Sequence, residues 1–504
     1  MTITIVGLGP GDAGLITRQA WHLLSAADTV ILRTRRHPAV AGLPPHLRLH
    51  SFDDIYDTAE DFAAVYGRIA AEVLRLGRAG DVVYAVPGHP FVGEATVTAI
   101  LAGAAEAGLP VQVVAGLSFV EPTLAALGVD ALDGLQLFDA IELAGYLYPP
   151  LNPDVPVLLG QVYSRLLAGE LKATLMSVYP PQQPVALVHA AGVHAAGVHA
   201  AGEARGVEWL ALHEFDHSER IDHLTSLYIP ALAVKGGLTA LAETVAVLRS
   251  PNGCPWDQEQ TAQSLREGFL EEAYEALAAL DAEDDANLRE ELGDLLYHIV
   301  MQTQIAAEAD SFTLTEVIAG IEAKLKRRHP HVWGDWQVSS SADVLRNWEL
   351  LKQREKGERG DTPASALDGI PPALPALARS QKIQNKAAHT GFDWPNIAGV
   401  FDKIAEEIAE VRAAETAEDK RAELGDVLFV VVNLARWLGV DAETALREAN
   451  ERFGRRFRQV EALAAARGLG LSALSFAALD DLWREAKAAL ARSDVAGTVT
   501  GEPE

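Results

Sequence analysis

The chain has 504 residues, of which 49% are hydrophobic, and its formal net charge is −28. That length is too great for one ordinary hydrophobic core, so we expect two to four domains. The acidic balance argues against loose binding to nucleic acid or anionic lipid, because phosphate binding by a protein face needs clustered Lys and Arg. It leaves nucleotide substrates open, since a metal held by carboxylates supplies the positive charge that a triphosphate needs.

The single cysteine, Cys254, excludes an internal disulfide framework and indicates a reducing compartment. The N-terminal sequence has no basic segment before its short apolar run, so it predicts a buried first strand and not a signal peptide. No apolar stretch is long enough to span a bilayer. We therefore expect a cytoplasmic protein without membrane or nucleic-acid partners.

The first part of the chain, residues 1–232, alternates apolar β-type runs with helical segments. Strands are predicted at 2–9, 28–34, 81–88 and 110–116, with helices around 15–26, 60–78 and 94–107. This alternation predicts an α/β domain with a largely parallel sheet. Further apolar runs predict a second α/β lobe after about residue 116, at 155–162, 184–190 and 227–234.

Three glycine-bearing motifs follow one another here: GLGPGDAGLIT (7–17), YAVPGHPFVGEA (84–95) and VVAGLSFVEPTLAALG (113–128). The first follows a predicted strand, a setting in which glycines let backbone N–H groups approach a ligand. Its Pro-Gly-Asp departs from the dinucleotide fingerprint, so we do not expect a nicotinamide site. Together the motifs resemble the tetrapyrrole methylase family, whose members bind S-adenosylmethionine in a cleft between two α/β lobes.

That resemblance implies cofactor-binding roles for Gly9, Pro10, Gly11, Asp12, Pro87, Gly88, His89, Pro90, Gly116, Leu117 and Ser118. Many methylases of the family carry Gly-Asp-Pro where this chain has Gly88, His89 and Pro90. The departure leaves two hypotheses for this domain, a competent methyltransferase or a methylase fold kept for binding or assembly.

A short repeat occupies residues 189–203, HAAGV HAAGV HAAGE, and places His189, His194 and His199 at intervals of five. Repeated His invites a metal-site interpretation, but a spacing of five fits neither one helix face nor one strand face. We therefore predict an expanded surface loop.

From about 237 to 490 the sequence becomes almost entirely helical and carries one carboxylate pattern twice. Each copy has Glu-x-x-Glu followed by Glu-x-x-Asp, with the eight acids Glu272, Glu275, Glu291, Asp294, Glu407, Glu410, Glu423 and Asp426. The first pairs differ by 407 − 272 = 135 and the second by 423 − 291 = 132, which indicates an internal duplication. Residues three apart share a helix face, so each copy is predicted to aim four acids at one point. Such acids repel unless a divalent cation lies between them, and oxygen ligands favour Mg²⁺ or Mn²⁺.

Gly293 and Gly425 precede the Asp of each copy, at a helix-propensity cost of about 1 kcal/mol relative to Ala. A glycine there makes sense if another helix or a ligand comes close. Each copy also ends in a basic helix, at 324–335 and 450–461, whose arginines are suited to outer phosphate oxygens.

The boxes, with NGCPWDQEQT (252–261) before the first and RSQKIQNKAAHTGFDW (379–394) before the second, closely resemble the MazG family. Members are all-α enzymes that use Mg²⁺ to hydrolyse nucleoside triphosphates to monophosphate and pyrophosphate. The resemblance implies that the eight acids are metal ligands. A methylase-like domain followed by two such repeats resembles the YabN-type fusion proteins.

Other residues are candidates for the remaining roles. Glu271 and Glu406 adjoin the ligands and are candidates for orienting or deprotonating the attacking water, although surface exposure explains them nearly as well. Candidate substrate-binding residues are Trp256, Lys324, Arg327, Arg328, Lys382, Lys386, Trp394, Asn450, Arg452, Arg455 and Arg456. The basic residues are equally well explained as a solvated surface of their helices. The two tryptophans are equally well explained by packing in the core.

The sequence therefore predicts a multidomain chain. Its predicted parts are a two-lobe methylase-like domain at 1–232, helical repeats at 237–350 and 376–490, a linker at 351–375 and a disordered tail at 491–504. Both copies keep their acids, and Lys382 and Lys386 favour the second as the active one. One-box helical units bury their cores by pairing, which predicts a homodimer through the helical half. The alternatives to a hydrolase are a nucleotide- or methyl-donor-sensing regulator and a methyltransferase with a helical dimerisation module.

Overall fold

The computed structural model describes residues 1–56, 62–193, 206–358 and 365–497. His194 and His199 of the repeat lie outside these ranges. The chain divides into two compact units, Met1–Ile321 and Glu322–Glu504, so the predicted first repeat contributes residues to both. Among the described residues, no helix combines the length and the apolar character needed to cross a membrane.

All strands among the described residues belong to the first unit. They are β1 (Ile3–Gly7), β2 (Thr29–Leu32), β3 (Arg48–Ser51), β4 (Val82–Val86), β5 (Val111–Val114), β6 (Gln136–Asp139), β7 (Val157–Gly160), β8 (Pro184–His189), β9 (Val207–Ala211) and β10 (Thr225–Ile229). The accompanying helices are α1 (Arg18–Ala26), α2 (Asp53–Tyr56), α3 (Phe62–Ala79), α4 (Ala95–Ala107), α5 (Val120–Leu127), α6 (Ala140–Ala144) and α7 (Arg165–Leu175).

The first sheet is entirely parallel, in the order β3-β2-β4-β1-β5. Helices on both faces bury it, so its central strands are continuous apolar runs such as ITIVG in β1 and VVYAV in β4. Ile5 and Tyr84 pair across these strands and are fully buried. The predicted parallel α/β domain is confirmed.

The second sheet has the order β6-β7-β10-β8-β9. Its β6–β7 pair is parallel and its other three pairs are antiparallel. One face packs on α6 and α7 around Leu171, Leu187 and Phe215, all fully buried. The expected second lobe is therefore present, with a mixed sheet.

The rest of the described chain is mainly helical, as the sequence predicted. The helices are α8 (Leu238–Arg249), α9 (Pro255–Glu259), α10 (Arg266–Asp281), α11 (Asp285–Glu308), α12 (Leu314–Arg328), α13 (Pro330–Trp333), α14 (Ser341–Glu358), α15 (Ala376–His389), α16 (Ile397–Ala413), α17 (Ala417–Trp437), α18 (Ala442–Ala466) and α19 (Phe476–Gly497). In the first repeat α10 pairs with α11 and α8 packs on α11, and in the second α16 pairs with α17 and α15 packs on α17. The duplicated pattern therefore folds into two similar helix pairs.

Capping residues set the start of the second helix in each pair. Asp284 accepts hydrogen bonds from the backbone N–H groups of Ala286 and Asn287 at the start of α11. Thr416 accepts one from Asp419 N at the start of α17. Each cap satisfies backbone donors that have no partner inside the helix, and so fixes where the acids of that helix begin.

Two predicted segments need correction. Residues 351–358 are the end of α14 and not linker, and residues 491–497 are the end of α19 and not a disordered tail. In both places the Ala, Leu, Lys, Arg and Glu content supports helix, and a helix propagates readily until a breaker stops it. The remaining tail residues, 498–504, lie outside the described ranges.

Candidate active site

Each helix pair brings three glutamates together. In the first repeat α10 carries Glu272 and Glu275 and α11 carries Glu291, and one carboxylate oxygen of each lies within 4.8 Å of the others. In the second repeat Glu407 and Glu410 of α16 meet Glu423 of α17 in the same way. We call these sets the first and second carboxylate trios. Neither trio includes the fourth predicted acid, Asp294 or Asp426, whose side chain is one methylene shorter and is exposed.

Each trio combines one buried acid with two that are open to solvent or partly so. Glu291 is 7% exposed and Glu407 is 4% exposed. Burial, followed by the charges of Glu275 and Glu272, raises the pKa of Glu291. Burial, followed by the charges of Glu407 and Glu423, raises the pKa of Glu410. Both shifts show that the carboxylates are crowded and that an added positive charge would stabilise their ionised forms.

The residues fit a divalent metal on these grounds. Carboxylate oxygens are the ligands that Mg²⁺ and Mn²⁺ prefer, and each trio presents three of them. There is open space beside Gly293 and Gly425, because a Cβ placed on either residue would meet no atom of the described residues within 4 Å. No other described helix of this chain therefore comes close to these two glycines, which was one of the two reasons expected for a glycine there.

The second trio has a cation that the sequence analysis did not single out. Lys403 Nζ lies 2.7 Å from Glu407 Oε1 and 2.8 Å from Glu406 Oε1. These two carboxylates raise the pKa of Lys403. Its spacing of four from Glu407 on one helix face could have revealed it. The corresponding position of the first repeat, 403 − 135 = 268, is Gly268.

The predicted phosphate-binding cations differ between the repeats. Arg327 and Arg328 both bind the carboxylate of Glu355, at 2.8 and 2.6 Å, and together lower the pKa of Glu355 to about 2. Lys324, Arg455 and Asn450 are exposed. Arg452 pairs with Glu448 at 3.3 Å on the surface of α18. The first repeat therefore neutralises its arginine pair internally.

Arg456 contacts an aromatic side chain that was not among the predicted site residues, Trp483. Its guanidinium lies over the Trp483 ring at 6.0 Å, and Trp483 in turn lies 5.1 Å from the ring of Phe453. Trp483 was missed because it follows Arg456 by 27 residues, in the next helix, where no local spacing connects them. The contact places a half-buried aromatic beside the basic face of α18.

The two predicted tryptophans each line a cavity of their own repeat. Trp256 is 60% exposed and lines a cavity of about 350 Å³ that also contains Glu272 and Asp294. Trp394 is 39% exposed and lines a larger one of about 740 Å³. Of the two nearby lysines, Lys382 is exposed, whereas Lys386 donates to the backbone oxygen of Asp368. Neither tryptophan is a core residue.

In the N-terminal domain the three glycine motifs meet at the carboxyl ends of β1, β4 and β5, the edge where open α/β sheets bind ligands. Gly9 and Gly88 exchange backbone hydrogen bonds of 3.2 and 2.8 Å. A Cβ on Gly116 would lie 2.3 Å from Gly88 O, so only glycine permits this approach. Gly9, Gly88 and Gly116 therefore lie close together, and the role of the three turns in binding a cofactor stays a prediction.

Side chains hold these turns in place. Asp12 accepts from Gly14 N at 2.8 Å, and buried Ser118 donates its hydroxyl to Glu121 at 2.7 Å. His89 Nδ1 accepts from Phe91 N at 3.1 Å, so this residue, which stands where many methylases have Asp, supports its own turn. His189 bonds to Glu208 and lies at the end of β8.

Comparison with known proteins divides the chain into the same two parts, an N-terminal α/β part and a helical part. A model of the tetrapyrrole (corrin/porphyrin) methylases matches residues 2–200, and one of the MazG nucleotide pyrophosphohydrolase domain matches residues 260–333 and 399–461. The chain is 47% identical to the nucleoside triphosphate pyrophosphohydrolase of Escherichia coli (strain K12), over 48% of this chain and 93% of that protein. The chain belongs to the MazG family.

The arrangement of this MazG protein recurs in Bacillus subtilis. The uncharacterized protein YabN is 39% identical to it, over 97% of this chain and 99% of that protein. The MazG enzyme of Thermotoga maritima, a nucleoside triphosphate pyrophosphohydrolase/pyrophosphatase, is 42% identical over 49% of this chain and 94% of its own length. Among solved structures, uroporphyrin-III-C-methyltransferase from Thermus thermophilus covers 46% of this chain at 22% identity, with a TM-score of 0.35.

Proposed function

We propose that the helical half hydrolyses nucleoside triphosphates to nucleoside monophosphate and pyrophosphate at its carboxylate trios, with Mg²⁺ or Mn²⁺. The observation that carries this proposal is the pair of trios, each with three glutamate oxygens within 4.8 Å, in a chain of the MazG family. Three ionised carboxylates at that spacing repel one another, and a divalent cation removes the repulsion. The trios are thus suited to hold a metal against a triphosphate.

The proposed reaction forms a bond from a water oxygen to the α-phosphorus and breaks the bond from that phosphorus to the bridging oxygen, so pyrophosphate leaves. When bound, the metal neutralises the phosphate oxygens and makes the attacking water more acidic. The trio holds the metal, and the neighbouring Glu406 or Glu271 accepts the proton of the water. In the second repeat Lys403 contacts the carboxylates of Glu406 and Glu407 and so orients both.

We infer that the second repeat is the more active one. Arg455 and Arg456 carry no ion pair among the described residues, whereas Arg327 and Arg328 are bound to Glu355. Guanidinium groups without a carboxylate partner form charge-assisted hydrogen bonds with phosphate oxygens, and those paired with a carboxylate must first break that contact. The second repeat also has Lys403 where the first has Gly268.

The test is pyrophosphate release from a panel of ribo- and deoxyribonucleoside triphosphates, with Glu275→Gln and Glu410→Gln made separately and together. We expect Glu410→Gln to lower kcat by about 100-fold or more, Glu275→Gln to act weakly, and the double variant to be inactive. Turnover that persists in the double variant would rule out the trios as catalytic. Wild-type protein that binds Mg²⁺ and nucleotide without turnover would instead support the sensor alternative.

For the N-terminal domain we propose binding of S-adenosylmethionine at the three glycine-bearing turns. Its support is the tetrapyrrole methylase match over residues 2–200 and the meeting of Gly9, Gly88 and Gly116 at the ligand-binding edge of the sheet. Calorimetric titration of the full chain with S-adenosylmethionine tests this. Absence of binding would remove both the cofactor and the methyltransferase alternative.

We further propose that the chain dimerises through its helical half. Large apolar side chains are exposed at corresponding positions of the two repeats, Leu292 and Leu424, Leu296 and Leu428, Ile299 and Val431. Each is between 40% and 54% exposed. Contiguous apolar surface of this kind is typical of protein interfaces, because leaving it in water is unfavourable.

A further inference from the structure

Helix α14 places a carboxylate on the arginine pair at the end of α12. Glu355 Oε1 lies 2.8 Å from Nη2 of Arg327, and Glu355 Oε2 lies 2.6 Å from Nη2 of Arg328. Arg328 Nε also donates to Oε1 at 3.2 Å, so both carboxylate oxygens accept hydrogen bonds from guanidinium groups. We call the contact of Glu355 with Arg327 and Arg328 the Glu355 clamp.

The Glu355 clamp contains more positive charge than one carboxylate balances. Two guanidinium groups face one carboxylate, which leaves an excess of one positive charge. Lys324 lies one turn earlier on the same face of α12, is exposed and has no ion pair among the described residues. A phosphate group carries about two negative charges and three acceptor oxygens, so it matches these cations better than a carboxylate does.

The arginine pair is open to solvent on one side. The side chain of Arg327 is 48% exposed, whereas those of Arg328 and Glu355 are 18% and 13% exposed. A ligand can therefore reach the outer guanidinium while α14 is still in place. The two guanidinium groups lower the pKa of Glu355 to about 2, so this carboxylate is ionised at neutral pH. A competing anion, and not a proton, is what displaces it there.

The described residues of α14 contribute nothing to a buried core. None of them is buried, and the half-buried ones include Val344, Asn347, Leu351 and Glu355, which follow one another at spacings of three and four. Residues at these spacings share one helix face, and Glu355 lies at the end of it. Elements with few buried apolar contacts open at a low cost in free energy. Loss of the Glu355 contact is therefore enough to loosen the end of α14.

The second repeat shows that the arginine helix does not require a carboxylate. Aligning the two Arg-Arg sequences places Arg455 and Arg456 opposite Arg327 and Arg328. Neither Arg455 nor Arg456 has an ion pair among the described residues, and the next helix, α19, places the Trp483 ring beside Arg456. The clamp is thus a feature that α14 adds to the first repeat, and not a condition for folding the repeat.

We infer that α14 is a removable cover over a phosphate-binding site on α12. A polyphosphate takes Arg327 and Arg328 in competition with Glu355, and its binding releases the end of α14 from α12. The ligand class follows from the three cations of this face, Lys324 included, which together suit more than one phosphate group. The inference goes beyond hydrolysis, because it concerns binding and the position of α14 and not turnover.

The test titrates the full chain with inorganic pyrophosphate in the presence of a metal chelator and at constant ionic strength. Calorimetry should show that Glu355→Gln binds pyrophosphate about 10-fold or more tightly than the wild type, because the competing carboxylate has lost its charge. The gain should disappear when Arg328→Met is added. The matched control is Glu322→Gln, an exposed acid of α12 whose partner is Lys326, and it should change the affinity little. Binding at the second repeat is common to all these proteins, so the differences report on α12.

A second measurement needs no variant and separates a removable cover from a purely structural ion pair. Hydrogen exchange at the amides of α14 is followed in the wild type with and without saturating pyrophosphate, with chloride at equal ionic strength as the reference. Pyrophosphate should speed this exchange by about 10-fold or more, whereas a structural ion pair would leave it unchanged. In Glu355→Gln the exchange should already be fast without ligand.

Two results would overturn the inference. One is equal pyrophosphate affinity of the wild type and Glu355→Gln, and the other is α14 exchange that saturating pyrophosphate leaves unchanged. Neither measurement requires turnover, so both decide the matter whether or not the hydrolase function holds.

Discussion

At the scale of single residues, one acid in each trio has a raised pKa, Glu291 in the first and Glu410 in the second, and it decides how the site responds to pH. The pKa of Glu291 is raised by burial and by two neighbouring carboxylates, so the folded chain holds its proton more tightly than the unfolded chain does. The contribution of such a group favours folding below the unfolded pKa and is lost as pH rises through the folded pKa. The trio in its ionised form is thus a source of instability that a metal relieves.

Because the pKa of Glu291 is raised, removing its charge should stabilise the metal-free fold. At neutral pH and with the metal removed by chelator, Glu291→Gln should melt at a higher temperature than the wild type, because it removes a crowded charge. Added Mg²⁺ should raise the melting temperature of the wild type more than that of the variant. Circular dichroism melts measure both, with Glu243→Gln, an exposed acid outside the trio, as control. A variant less stable than the wild type would contradict the raised pKa.

The same shift predicts a pH dependence of metal binding. Protons and metal compete for the carboxylates, so apparent Mg²⁺ affinity should fall as pH is lowered through the raised pKa of Glu291 and Glu410. Titration calorimetry between about pH 5 and pH 8 measures it. Affinity independent of pH over this range would show that neither acid takes part.

A third prediction concerns Lys403, a positioning residue that touches Glu406 and Glu407. Lys403→Met should lower kcat by about 10-fold to 100-fold, the usual effect of losing a group that orients a ligand. It should also move the acid limb of the pH–rate profile to higher pH, because the charge of Lys403 lowers the pKa of Glu410 and the variant loses that charge. An unchanged profile with lower kcat would mean a merely structural role.

At the scale of secondary structure elements, the glycines of α11 and α17 lie where the chain leaves space. Since a Cβ at Gly425 meets no described atom within 4 Å, Gly425→Ala should stabilise the fold by up to about 1 kcal/mol through helix propensity. If substrate approaches this face, pyrophosphate release should nevertheless fall at least about 10-fold. Gly293→Ala is the matched variant in the less active repeat and should stabilise without that loss. Higher stability with full activity in both variants would show that the space serves no ligand.

Three strands, β3, β6 and β9, were not predicted from the sequence. β3, β6 and β9 are all edge strands of their sheets, with sequences RLHS, QLFD and VEWLA. An edge strand has a partner on one side only and is less buried, so it needs no continuous apolar run. The central strands were predicted because burial on both faces imposes such runs.

At the scale of the whole molecule, the exposed apolar positions of α11 and α17 predict the oligomeric state. Size-exclusion chromatography with light scattering should give a dimer for the wild type. Leu424→Glu combined with Leu428→Glu should shift it towards monomer, because each places a charge in the proposed interface. Leu132→Glu, at a residue 94% exposed in the N-terminal domain, is the control. A monomeric wild type would contradict the proposal.

The sequence by itself determined the elements and the chemistry that depend on spacing along one chain. Helix periodicity placed Glu272 beside Glu275 and Glu407 beside Glu410, and the two offsets, 135 and 132, revealed the duplication. Apolar runs predicted the central strands, and the glycines at 9, 88 and 116 marked the turns that follow strands. These features depend on residues close together in the sequence, so composition and hydrophobic periodicity are enough to predict them.

Only the tertiary structure decided which of those residues meet and which charges are already satisfied. It joined Glu291 and Glu423 to their trios and left Asp294 and Asp426 outside. It bound Arg327 and Arg328 to Glu355 and placed Trp394 on a cavity with Gln384. Such pairings depend on how helices distant in sequence pack, and the free energy of a charge depends on its neighbours and its burial, which no local pattern records.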